Sequence, residues 1–172
     1  SINDIQVVHS IANSVNSNQL KNKEWLIEKL NPYLDMYNDP KIVVAAGWHG
    51  LAAHMINRNV VSFDLDPTCK STKLFPNVKY VTEKIEDFDP SKFDIIICTS
   101  CEHITDEVIN NFISRKSPTT IVVLQSNNYY SIEDHINCKA SCEEFCESIS
   151  LRVLDKHTLK CDKYDRFMAF CI

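Results

Sequence analysis

Apolar residues fall at positions 5, 8, 11, 12 and 15 between Asp4 and Ser17, the stripe of an amphipathic helix. Trp25, Leu26, Leu30 and Leu34 carry a second helical stripe from Lys21 to Met36, with an interruption expected near Pro32. The period then changes. "KIVVAA" reads as a fully apolar strand, "GLAAHMINR" as a helix and "VVSFDLD" as a second strand. "PTCKSTKLF" is a short helix or turn, "VKYVT" a third strand and "FDIIICTS" a fourth. A helix from Asp106 to Ser114, the strand "TTIVVLQS" and the helix "SCEEFCESI" come next. The chain closes with "LRVLDKHTLK" and "YDRFMAFCI", two strands joined by a polar turn at 161–163.

Strands that are apolar on both faces and alternate with helices form parallel sheets covered by those helices. The connection between the last two strands is too short for a crossover, so they pair as an antiparallel hairpin at one edge. The expectation is therefore a doubly wound α/β domain. Its seven-stranded sheet is mostly parallel, its last strand antiparallel, and helices lie on both faces. A chain of 172 residues is expected to be one domain, with N-terminal helices over 1–38 and the sheet core over 41–172.

Composition narrows the function. A net charge of −5 gives no global positive field, so binding to nucleic-acid duplexes is not expected. The apolar runs are too short to span a bilayer, and the first residues lack the basic and apolar regions of a signal peptide. A cytoplasmic location is expected, with the eight cysteines reduced. Cys98 and Cys101 spell C-x-x-C, but Cys98 ends an apolar strand and no thioredoxin-like order surrounds it. His135, Cys138, Cys142 and Cys146 would form a single stripe on a helix. Such a stripe cannot close a tetrahedron, so no metal site is expected.

The chain has only two glycines, Gly47 and Gly50, directly after the first strand. Glycine turns sharply and lets a ligand approach the backbone closely. In doubly wound sheets, ligands bind at the carboxyl ends of the strands, and an acid near the end of the second strand accepts ribose hydroxyls. Asp64 and Asp66 stand there. A nucleoside-type ligand is favoured over a helix-cap glycine followed by a solvated acidic turn.

"VVAAGWHGLAA", "SFDLDP" and "FDIIICTSCEHI" resemble motif I, the acidic loop and the fourth-strand motif of class I S-adenosylmethionine-dependent methyltransferases. The antiparallel last strand is that family's signature on a Rossmann-like sheet. The resemblance covers about 41–172 and extends to small phage and bacterial methyltransferase-like proteins with Gly-Trp-x-Gly and Ser-Cys-Glu-His motifs. It implies S-adenosylmethionine as cofactor. Gly47, Trp48 and Gly50 would line its methionine and ribose, Asp64 and Asp66 would face the ribose, and Ile85 or Glu86 would lie near adenine. The turn departs from the family's Gly-x-Gly-x-Gly. Trp48 and His49 occupy positions where small residues are usual, and Val44, Ala45 and Ala46 replace an acid.

In that arrangement the loop after the fourth strand meets the methyl acceptor. It holds Cys101, Glu102 and His103, and Glu102 or His103 could take a proton from an O–H or N–H group. The alternative is that Glu102 caps the next helix and His103 is structural. The loop lacks the signatures of DNA amino and C5-cytosine methylation. Gln125, Asn127, Asn128, Tyr129 and His135, after the fifth strand, supply polar and aromatic groups for binding the acceptor. The expected function is methyl transfer to an O or N atom of a small-molecule or nucleotide-like acceptor. The sulfonium methyl is expected between the 47–50 turn and the 101–103 loop. The alternative is a degenerate binding or accessory protein, and a nicotinamide-dependent oxidoreductase is disfavoured by the terminal hairpin.

Overall fold

The computed structural model describes residues 2–172. Its seven strands form one sheet in the order β3-β2-β1-β4-β5-β7-β6. The chain divides into two units, Ser1–Glu83 and Lys84–Ile172.

The first unit opens with α1 (Ile2–Ser14) and α2 (Ser17–Leu34). The Asn16 side chain separates them by capping α2, accepting from the Gln19 amide at 2.9 Å. The stripe read from the sequence is the buried face of α2, where Trp25, Leu26, Leu30 and Leu34 all leave solvent. Pro32 does not interrupt this helix. It lies in the last turn, and the Asp35 amide still bonds to the Asn31 carbonyl at 3.0 Å. The carbonyl that proline leaves unbonded belongs to exposed Glu28, where water can satisfy it.

Strands β1 (Ile42–Ala45), β2 (Val60–Asp64) and β3 (Val78–Thr82) pair in parallel. Helix α3 (Leu51–Ile56) links the first two, and α4 (Pro67–Thr72) links the second and third. Ile42, Val43, Val44 and Ala45 are all buried, as the unbroken apolar run requires.

In the second unit β4 (Ile95–Cys98) and β5 (Ile121–Asn127) pair in parallel, connected through α5 (Asp106–Ser114). After α6 (Cys142–Glu147), β6 (Val153–Lys160) and β7 (Asp165–Cys171) form the expected antiparallel hairpin. The chain-terminal strand does not sit outermost. β7 inserts between β5 and β6, antiparallel to both, and carries the buried run from Arg166 to Cys171. β6 is the edge, and its largely exposed, charged residues suit that position.

The eight cysteines are free thiols. Burial pushes Cys69 and Cys171 up to about 12, so these groups pack as small apolar side chains. The expected helical stripe from His135 to Cys146 does not exist. Only 142–147 is helical, because 131–141 crosses the surface as an irregular loop held by side-chain hydrogen bonds. Among the described residues no helix is long and apolar enough to cross a membrane.

Candidate active site

In the first unit the candidate residues gather at the turn between β1 and α3. Ala46 and Trp48 adopt left-handed backbone conformations (φ 51° and 53°), and Gly50 has φ 88°. A Cβ on Gly47 would collide with Ser62 Oγ, and one on Gly50 would stand 2.7 Å from Tyr80 Oη. Sterics thus require both glycines, and Gly50's backbone requires it a second time. Tyr80 donates its hydroxyl to the His49 carbonyl at 2.6 Å, and the Gly47 amide bonds to the Phe63 carbonyl at 3.0 Å.

Asp64 ends β2 beside this turn. Its Oδ2 accepts the Trp48 amide at 2.9 Å and its Oδ1 accepts the Asp66 amide at 3.0 Å. The first of these bonds stabilises the left-handed residue 48. Each carboxylate oxygen still has a lone pair for a further donor. Asp66 caps α4 through the Thr68 amide at 2.9 Å and is otherwise exposed.

Trp48 and His49 have a structural explanation. Trp48 Nε1 donates to Ser10 Oγ at 3.0 Å, and the same oxygen lies 2.9 Å from His49 Nε2. Indole nitrogen can only donate, so Ser10 keeps its own proton to offer His49. These two bulky residues fasten α1 to the glycine turn. His49 is 1% exposed, and its Nδ1 has no hydrogen-bond partner among the described residues. Burial holds its pKa below 6.5, against the opposing pull of Asp66 and Asp64.

A stability prediction follows from that direction. Because the folded-state pKa lies below the unfolded value, His49 leaves stability intact above about pH 6.5. Stability then falls as the pH drops toward the lowered folded value, with a slope of at most about 1.4 kcal/mol per pH unit from this group. Urea denaturation between pH 5 and 7.5 should show the slope in the wild type and a flatter curve in His49→Gln. Parallel curves would show that His49 does not control acid stability.

In the second unit the candidate residues begin after β4. Residues 101–103 form a single 3₁₀ turn, and Thr105, not Glu102, caps α5 by accepting the Val108 amide at 3.3 Å. Cys101 is fully buried, with its thiol turned toward the Cys98 carbonyl at 3.9 Å. The contact with Cys98 and burial push this thiol well above its ordinary value. Cys101, one of the three expected catalytic residues, therefore packs as a core side chain.

Glu102 is 5% exposed, and the charge it faces comes from Arg166, also 5% exposed, with Nη1 3.8 Å from Oε1. Arg166 further donates through Nε to Gln125 Oε1 at 3.0 Å and through Nη2 to the Thr99 carbonyl at 2.6 Å. His103 approaches the same oxygen, with Nε2 3.8 Å from Glu102 Oε1 and its side chain 42% exposed.

The residues after β5 divide into two groups. Gln125 and Asn127, expected to bind an acceptor, are buried and internally bonded. Gln125 supports Arg166, while Asn127 Oδ1 accepts the Tyr129 amide at 3.0 Å and the Cys138 thiol at 3.4 Å. Asn128, Tyr129 and His135 remain partly accessible. Asn128 Oδ1 accepts the Asp165 amide at 2.7 Å, and the Tyr129 ring stacks on Tyr164 at 4.6 Å. His135 meets His103 edge to face, with ring centroids 4.8 Å apart.

This loop is stapled to the one after β4. The Asn137 amide bonds to the Glu102 carbonyl at 2.9 Å, and Asn137 Nδ2 reaches the Ile104 carbonyl and Asp106. Lys139 meets Asp106 at 2.7 Å. Burial works against the Asp106 charge, but Asn137 and Lys139 outweigh it and hold that carboxyl below its ordinary range. Ile85, half-buried, and Glu86, exposed, lie in a turn after β3. The Ile85 carbonyl accepts Arg115 Nη2 at 3.0 Å.

No protein-family model matches the chain, and no curated protein matches it. Solved structures do. An S-adenosylmethionine-dependent methyltransferase from Clostridium acetobutylicum superposes with TM-score 0.66 at 14% identity, covering 98% of this chain and 97% of that one. The chain has the class I methyltransferase fold. Magnesium protoporphyrin IX methyltransferase from Synechocystis PCC 6803, solved with bound SAH, gives 0.68 at 10% identity, covering 91% and 87%. The (4+2)-cyclase SpnF gives 0.68 at 11% identity, covering 91% and 82%. The class I fold therefore hosts more than methyl transfer, and function has to be argued from side chains.

Sequence reasoning missed four side chains of this class I fold that organise the site: Ser10, Tyr80, Asn137 and Arg166. Each acts across 30 or more residues of chain, from Tyr80 to His49 up to Arg166 to Thr99. No local motif marks such partners.

Proposed function

We propose that the protein is an S-adenosylmethionine-dependent methyltransferase acting on an O or N atom of a small-molecule or nucleotide-like acceptor. The observation that carries this reading is the glycine turn: two positions that exclude a Cβ, tied through the Trp48 amide to an acid that retains free lone pairs. A backbone cradle beside a carboxylate suits a nucleoside carrying an amino-acid chain. Gly47, Trp48 and Gly50 would line that chain and the ribose, and Asp64 would accept the ribose hydroxyls. Asp66 has its Oδ2 left over from capping α4, and Ile85 and Glu86 are the candidates for the adenine side.

The bound cofactor supplies a methyl group on positively charged sulfur, open to direct displacement. The chain then has two tasks: to orient the acceptor and to take its proton. Asn128, Tyr129 and His135 offer an amide, an aromatic face and an imidazole for the first. Glu102 and His103 serve the second, with Arg166 compensating the Glu102 charge.

The second reading is a class I fold retained for binding without transfer. The missing acid before the turn and the fastening of Trp48 and His49 to Ser10 favour it. Calorimetry separates the two: S-adenosylmethionine or S-adenosylhomocysteine should bind, and no heat at high micromolar ligand would overturn the enzyme reading. Asp64→Ala should weaken that binding by about 1–3 kcal/mol through lost hydrogen bonds. Unchanged affinity would place the nucleoside elsewhere.

A further inference from the structure

We propose that Glu102, His103 and His135 bind one divalent transition-metal ion, as a two-histidine, one-carboxylate set on the loops that follow β4 and β5. A carboxylate oxygen of Glu102 and a ring nitrogen from each histidine lie within 4.8 Å of one another. Around an ion with bonds of about 2.1 Å, neighbouring ligand atoms stand roughly 3.0–3.4 Å apart. The set is looser than that spacing, so binding requires the three side chains to draw together around the ion.

The tautomers point the same way. His103 Nδ1 lies 2.9 Å from the Asp134 carbonyl, and His135 Nδ1 lies 2.7 Å from the Tyr129 carbonyl. A carbonyl only accepts, so each Nδ1 carries a proton, and in the neutral imidazole Nε2 is then the nitrogen with the lone pair. Metal-ligating histidines are held in this manner, by a carbonyl behind the ring that fixes tautomer and orientation. Two histidines on different loops, each backed by a carbonyl and touching edge to face, exceed what packing needs.

Glu102 adds an independent sign. It is nearly sealed from solvent, and its Oε2 has no hydrogen-bond partner among the described residues. A buried carboxylate oxygen left unbonded is costly, and a cation would satisfy it. Arg166 and His103 both approach the other oxygen, Oε1, each only to 3.8 Å. The ligand loops are rigid, because the Asn137 amide holds the Glu102 carbonyl and Tyr129 is stacked on Tyr164.

One carboxylate and two neutral imidazoles favour manganese, iron, cobalt or zinc over magnesium or calcium. Three ligands on one side of the ion leave open positions for water or for an oxygen of an incoming molecule. Binding of the ion requires neither cofactor nor turnover, so it is tested separately from the methyltransferase reading, although the ion would occupy side chains which that reading assigns to the acceptor.

The test is a Co²⁺ titration of the reduced full chain, with visible d–d absorption and equilibrium dialysis as readouts. One Co²⁺ per chain should bind, without the near-ultraviolet band of a cobalt–thiolate bond. Glu102→Gln, His103→Ala and His135→Ala should each weaken binding at least about tenfold. Cys138→Ser and His9→Ala, outside the set, should not. Because His103 is exposed, its variant should keep the wild-type circular dichroism and thermal transition even if Glu102→Gln does not. Absence of binding at high micromolar Co²⁺ would overturn the proposal. So would binding that survives His103→Ala and His135→Ala, or binding that carries a thiolate band. Calorimetry with S-adenosylhomocysteine on the same variants tests the cofactor reading separately.

Discussion

Gly47→Ala is expected to destabilise the protein by about 2–3 kcal/mol and to abolish nucleoside binding. The cause is steric. Gly47 does not have a positive φ, so alanine would suit its backbone, but the new Cβ would overlap Ser62 Oγ and press on Val44 Cγ1 at 3.3 Å. Ser62 and Val44 are buried in β2 and β1, where neither can retreat. Because Ser62 Oγ has no hydrogen-bond partner among the described residues, removing it should cost little. The double variant Gly47→Ala/Ser62→Ala should therefore recover part of the loss, while Ser62→Ala alone is close to neutral. Urea denaturation of the three variants gives the coupling directly. Additive effects would mean that the turn relaxes around the added methyl by another route. Gly50→Ala should not be rescued in this way, since its φ of 88° is unfavourable for alanine whatever lies nearby.

Arg166→Ala should cost about 3–5 kcal/mol, the scale for breaking a buried ion pair from one side. It strands the Glu102 carboxylate and also leaves Gln125 Oε1 and the Thr99 carbonyl without their donor. Glu102→Gln should cost clearly less, because Arg166 keeps both of those acceptors and the amide carries no charge to bury. Equilibrium denaturation of the two variants tests this asymmetry. Equal losses would mean that the arginine is held mainly by Glu102. A loss below about 1 kcal/mol for Arg166→Ala would show that water reaches the pair.

The two variants address different groups of candidate residues, and these were unequally legible. The glycine turn and Asp64 could be found in the sequence, since glycine scarcity and strand-end acidity are local properties. The polar loops after β4 and β5 could be located, but their residues could not be sorted. Cys101, Glu102 and His103 are consecutive, and only the 3₁₀ turn separates a core thiol from a buried carboxylate and an exposed imidazole. Gln125 and Asn128 lie in one polar run, yet the first is sealed behind Arg166 and the second reaches the surface. Alternation along a strand does not reveal this, because all of β5 is buried on both faces.

Hydrophobic period alone determined the order of helices and strands, the parallel core and the terminal hairpin, because burying an apolar face leaves few arrangements. It also determined that the chain's two glycines stand in a single turn. Tertiary structure decided the rest: β7 inside the sheet with β6 at its edge, Trp48 and His49 bound to a helix far earlier in the chain, and Arg166 set against Glu102. The physical reason is range. Period, caps and turns act over a few residues, whereas a buried charge or a blocked Cβ is defined by neighbours that only the folded chain brings into contact.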